Sequence, residues 1–234
     1  MTCINVHTLV RTTVDKADAT DTYVAMNEEA AMHNPLLETL NCRDSCPLFL
    51  SNQALPQPEL MQLLEAGQLA PSVLGLEPWH FVVSTKEASK TALQQACHDQ
   101  PQLASCSAVV TVLARTADLR PGSEYCEAQL AREAQGAAHL QALREQYARM
   151  AAEHALDAWL VAQCHVAAAH IMLAAAAAGI DSCPIWDFDP TAVSAALQVD
   201  TTRYLVALPI ALGYRAVIPA PKHRRPLADM IDYR

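Results

Sequence analysis

Residues 70–83 read APSVLGLEPWHFVV, and the prolines at 71 and 78 set the reading of everything around them. Upstream, the apolar residues of ELMQLLEAGQL (59–69) recur every three or four positions, which predicts a helix. Pro71 forces its end, because the residue before a proline is driven out of helical geometry. Downstream, HFVVST (80–85) is an apolar, β-branched run that predicts a strand. The connector holds one glycine, Gly75, so it is a stiff loop leading into a strand marked by Pro78, Trp79 and His80.

Working outward, NPLLETLN (34–41) has a capping Asn34, a proline at the first helical position and helical apolar spacing, and predicts a short helix. Met1 to His33 is polar with weak periodicity and reads as an arm ahead of one domain spanning 34–234. After the first strand, Ser84 and Glu87 stand at capping-box spacing before the helical run to Cys97. SAVVTVLA (107–114) predicts a buried strand, Glu124 to about His154 an amphipathic helix, and VAAAHIMLAAAAAGI (166–180) a buried helix. TRYLVALPIALGY (202–214) predicts another strand, and VIPAPKHRRPL (217–227) an extended, proline-held tail. Strands separated by helices, with no repeat, predict an α+β or α/β domain.

A formal charge of −9 on 234 residues argues against a broad nucleic-acid footprint, which needs clustered Lys and Arg. The 166–180 run is too short for a membrane span and is interrupted by His170. His170, with His165 just before the run, reads as a satisfied core residue. Eight cysteines without CxxC spacing, and an N-terminus without signal-peptide character, predict reduced thiols in a cytoplasmic protein. Their spacing matches no zinc site, so no metal is expected.

Six glycines at 67, 75, 122, 136, 179 and 213 leave no GxGxxG or Walker loop, and GxSxG and HExxH are absent too. Any bound anion must therefore be held by side chains and ordinary helix ends. Arg43 with Ser45, and Lys222 to Arg225, are the candidates, against the plainer reading of a solvated basic run.

In chain order, RDSCPLF, APSVLGLEPWHFVV, DQPQL, WLVAQCHVAAAHIMLAAAAAGIDSCPI, FDP and PKHRRPL resemble the flavin-dependent nitroreductase family, its oxygen-insensitive NAD(P)H nitroreductase and dihydropteridine reductase group above all. The resemblance implies an α+β fold with a central, mostly antiparallel sheet flanked by helices, and a homodimer with FMN at the interface. It also implies hydride delivery from NADH or NADPH, then reduction of a nitroaromatic, quinone-like or pteridine-like acceptor in a ping-pong cycle. Carried over by position, Arg43, Asp44, Ser45 and Pro47 lie at the phosphate and ribityl end, joined by Lys222, His223 and Arg224. Pro71, Ser72 and Leu74 face the partner's flavin, Gln163 lies near the ring, Asp99 lies at its pyrimidine edge, and Pro184, Ile185, Trp186 and Asp187 line the N5 side. Tyr147 and Gln102 are the implied substrate contacts; Tyr147 reads equally as a core residue, and so does Trp186.

Four positions depart from the family pattern. Pro47 stands where a Lys or Arg is common, Asp99 for an asparagine, Trp186-Asp187 for Glu-Gly, and Gly75 for an asparagine. A lost cation and a gained carboxylate both disfavour an anionic reduced flavin. The alternative reading is therefore a non-catalytic flavin-binding or flavin-sequestering homodimer, and a third is a homodimer without cofactor.

Overall fold

The structure, a computed structural model, describes residues 34–234, so the expected 1–33 arm lies outside the described residues. Leu40–Arg234 forms one compact unit. The described elements run α1 (Pro35–Cys42), α2 (Gln57–Gln68), β1 (Trp79–Ser84), α3 (Glu87–Ala96), α4 (Pro101–Ser105), β2 (Ala108–Arg115), α5 (Glu124–Glu133), α6 (Ala137–Glu153), α7 (Leu156–Ala177), β3 (Asp181–Pro184), α8 (Pro190–Leu197) and β4 (Tyr204–Gly213).

The four strands pair in the order β1-β2-β4-β3, every neighbour antiparallel. Alternation along β2 explains the layers on either side. Val110, Val112 and Ala114 pack with Leu63 of α2 and Ile171 of α7, while Val109 and Leu113 pack with Leu93 of α3, Leu103 of α4 and Val193 of α8. A sheet covered on both faces needs strands apolar on both faces, as β2 and most of β4 are.

The α1 cap is as expected: Asn34 Oδ1 accepts from the N–H groups of Leu36 and Leu37. The same device starts α8, where Asp189 Oδ1 accepts from Thr191 and Ala192 ahead of Pro190 at the first position. Helix α7 is longer than its apolar run suggested, beginning at Leu156. By length and composition alone its 22 residues could cross a membrane. Its buried residues Leu156, Leu160, Cys164, Ala167, Ile171 and Ala175 instead form a stripe at helical spacing on the core side. The helix ends where Gly179 turns left-handed (φ 73°) and the Ile180 N–H reaches back to the Ala175 carbonyl. Gly67 of α2 meets this helix closely; a Cβ there would lie 2.7 Å from Ile171 Cγ1.

Three expectations are corrected. The region 124–154 is two helices, because Gly136 takes φ 95° between α5 and α6. The Ser84 capping box does not form: Ser84 closes β1, and α3 starts at Glu87 behind Lys86 without a side-chain cap. β3, four residues long, was not anticipated.

Arg115 locks one end of the sheet. Its guanidinium donates to the Trp79 carbonyl, to Asp118 and to the Tyr204 hydroxyl, and lies over the Tyr125 ring at 4.9 Å. Its Nη2 faces His80 Nδ1 at 3.1 Å, which requires an unprotonated Nδ1 there. Burial first, then the charges of Arg115 and Arg203, lower the His80 pKa below its ordinary 6.5. Protonation is thus harder in the folded chain than in the unfolded one, so stability present above pH 6.5 falls as acid is added toward the lowered folded value. Chemical denaturation across this range should show a smaller loss in His80→Gln than in the parent protein.

Candidate functional site

The structure gathers several of the residues singled out by sequence into two clusters, and leaves Tyr147 and Arg224 outside both. The first begins with Asp181 at the head of β3, only 8% exposed. Its Oδ2 accepts the Arg215 backbone N–H at 2.8 Å and its Oδ1 the Arg215 Nε at 2.7 Å; Arg215 Nη2 also reaches the Cys42 carbonyl. The Cys46 N–H donates to the Ser182 carbonyl at 3.0 Å, and Ser45 bridges Ser182 in parallel register. RDSCP (43–47) is therefore laid along the outer edge of β3. Arg43 lies near enough to the Cys183 thiol for its charge to oppose the burial that pushes this thiol up to about 11.

Lys222 comes to the same region. Its ammonium donates to the carbonyls of Leu40 and Asn41 at 2.7 and 2.8 Å, at the C-terminal end of α1, where the helix dipole favours a cation. Arg224 instead turns to the carbonyl of His223, its neighbour. A cavity of about 230 Å³ opens beside the turn, lined by Arg43, Asp44, Gly179, Asp181, Ser182 and Arg215. Ser182 Oγ is buried with no hydrogen-bond partner. Pro47 lines a smaller recess with Asp44 and Cys46.

The same cluster continues through 184–187. The Ile185 N–H donates to the Pro209 carbonyl, and its side chain is fully buried, so only its backbone can face a ligand. Gln100 Nε2 donates to the Asp187 carbonyl at 2.6 Å, and His98 Nε2 lies 3.5 Å from the Asp187 carboxylate. His98 and Asp99 are both left-handed (φ 56° and 55°), a turn from which His98 and Gln100 both meet Asp187. Gln102 Oε1 is buried without a partner. Trp186 projects outward, 65% exposed, with its ring 5.3 Å from that of His165 on α7. His165 is anchored in turn: its Nε2 lies 3.2 Å from the carbonyl of Ala207, the residue that the β2–β4 register skips.

The second cluster is the stiff loop before β1. Leu74, Gly75 and Glu77 take φ of 48°, 63° and 45°, a left-handed path costing about 1 kcal/mol or more at each non-glycine. The strain is held from several sides. Ser72 Oγ accepts the Glu77 N–H, Tyr125 donates to the Glu77 carbonyl, and Arg132 donates to the Gly75 carbonyl and pairs with the Glu77 carboxylate at 2.8 Å. Glycine suits the left-handed φ at 75; a Cβ there would sit 2.6 Å from Glu133 Oε1, the movable end of a half-exposed side chain. From α7, Gln163 Oε1 accepts the Val73 N–H at 3.0 Å, whereas Gln163 Nε2 is buried with no partner.

Tyr147 departs from the expected substrate contact. It is 1% exposed, and its hydroxyl donates to the Leu119 carbonyl at 2.6 Å, so the ring is part of the core beside Trp159. Sequence reasoning missed Asp181, Ser182 and Arg215. The 34-residue separation of the ion pair leaves no local signal, and only the unanticipated β3, which pairs Asp181 with Gly213, brings them together.

Residues 41–214 match the family model described as the nitroreductase family. An oxygen-insensitive NADPH nitroreductase of Helicobacter pylori is 29% identical over 203 residues, 84% of this chain and 95% of that protein. A Thermus thermophilus protein named NADH dehydrogenase is 32% identical over 183 residues, 77% of this chain and 87% of its own. A structure from Exiguobacterium sibiricum solved in complex with FMN superposes with a TM-score of 0.73 at 24% identity, covering 86% of this chain and 98% of that one.

Neutralising Asp181 removes its charge-assisted hydrogen bonds to Arg215, but the guanidinium left behind keeps 37% of its side chain exposed and is partly solvated. Asp181→Asn should lower stability by about 1 to 2 kcal/mol in urea denaturation.

Proposed function

The chain belongs to the nitroreductase family, and on that footing we propose that it is an FMN-dependent NAD(P)H oxidoreductase, a cytoplasmic homodimer that reduces nitroaromatic, quinone-like or pteridine-like acceptors. Gln163 carries this reading within the chain's own geometry. A buried amide whose oxygen is fixed by the Val73 N–H, and whose nitrogen has no partner, is a donor held ready for an acceptor atom outside the described protein. A flavin edge offers such atoms.

The residues present fit FMN in two further respects. The cavity beside Arg43 brings a guanidinium and the unpaired Ser182 hydroxyl together, suiting a phosphate or ribityl end held by Arg43 and Ser45; Lys222 and Arg224 would join only by leaving the backbone carbonyls they hold. The 184–187 segment is tied down on both sides, through Ile185 and through the Asp187 carbonyl, so the backbone between them is rigid enough to aim an N–H. When bound, FMN supplies the ring that accepts a hydride and passes it on. The chain holds that ring, orients it and keeps water from its face, while one pocket receives the nicotinamide and then the acceptor. No side-chain acid or base is required.

Asp99 and Pro47 favour the second reading, a flavin-binding homodimer with little turnover, because both leave negative charge on a reduced ring less compensated. Anaerobic bleaching by NADH or NADPH separates the two.

Three outcomes are expected. The protein as isolated shows flavin absorption in the visible. Gln163→Leu weakens FMN binding about tenfold, the size of one hydrogen bond; a colourless protein that takes up no added FMN, or an unweakened Gln163→Leu variant, removes the reading. Asp99→Asn raises the midpoint potential of the bound flavin by about 30 mV, measured by redox titration.

A further inference from the structure

Trp186 is an aromatic ring in water that is nevertheless fixed in place. Its own backbone is tied on either side, by the Ile185 N–H to Pro209 and by Gln100 to the Asp187 carbonyl. One flank of its ring meets His165, which is anchored to the Ala207 carbonyl, and the indole stays 65% exposed. An exposed ring already ordered loses little further freedom when a second ring covers it, so stacking there yields most of its contact energy as affinity. The residue that follows adds a sign: Asp187 holds its carboxylate open to solvent, its side chain 83% exposed, with the His98 imidazole 3.5 Å away and neutral unless protonated. A neighbouring charge within a Debye length acts on whatever stacks beside it.

We propose that Trp186 selects the acceptor: its outer face is a stacking platform for flat, uncharged or cationic arenes, and Asp187 turns carboxylated ones away. The inference deepens the reductase reading above by naming the substrate class, and it rests on that reading for its place in catalysis.

The test uses two isosteric, redox-inert probes, neutral 2-naphthamide and anionic 2-naphthoate, titrated calorimetrically into the protein as purified. Naphthamide should bind, and naphthoate should bind about fivefold more weakly, the size of one partly screened like-charge contact. Trp186→Ala should weaken naphthamide about tenfold, one aromatic stacking contact, with Trp186→Phe restoring most of the loss. In turnover, the preference for 1,4-naphthoquinone over dioxygen, taken as a ratio of kcat/KM values, should fall in Trp186→Ala by a similar factor. Equal binding of the two probes, or undiminished naphthamide binding by Trp186→Ala, overturns the proposal. A colourless protein that binds naphthamide through Trp186 would remove the reductase reading, and with it acceptor selection, and leave only the stacking face standing; a yellow, NADPH-bleached protein whose Trp186→Ala variant binds naphthamide normally would keep the reductase reading and overturn the inference.

Discussion

A carboxylate at the head of a short strand sets the geometry of the end of the molecule that carries the turn at 43–47. Asp181 is almost fully buried, and an ionised group there is tolerable only if its oxygens are answered. Both are, by one residue: Arg215 supplies its backbone N–H to one oxygen and its guanidinium to the other. The same guanidinium also reaches Cys42. Three stretches far apart in the chain, the end of α1, the start of β3 and the exit from β4, thereby acquire one common reference point. The turn carrying Arg43 and Ser45 inherits its position from that point.

The loop at 71–77 shows the complementary strategy. There the backbone is strained rather than relaxed, and the strain persists because Ser72, Tyr125, Arg132 and Gln163 each hold a different atom of it. Gln163 is the economical member of this set. With one end it fixes the loop, and its other end, a buried amide nitrogen, is left without a partner.

Much of this was legible from the sequence, for reasons that also explain what was not. Helix α2, its end at Pro71, the Asn34 cap and the three longer strands follow from periodicity and local capping chemistry, which act over a few residues. The resemblance pointed to the turn at 43–47 and the loop at 71–75, but not to Asp181, Ser182 or Arg215, which those fragments leave without a partner in the sequence. β3 was not, because four residues around a buried aspartate carry no alternation to read. The split between α5 and α6 depended on the φ adopted by Gly136, a residue that helices also tolerate. Tyr147 could face a ligand or the core with equal local plausibility; the Leu119 carbonyl, 28 residues away, decides it.

Ala207 is one residue more than β4 needs to match β2, and the surplus is not idle. Were it deleted, the two central strands would run in unbroken ladder, and by the measure of hydrogen-bond regularity the sheet would improve. His165 would then have no carbonyl to hold, and the indole beyond it no backstop. Regularity in the scaffold and definition at its mouth are thus set against each other at a single alanine, a residue whose methyl group takes no part in either.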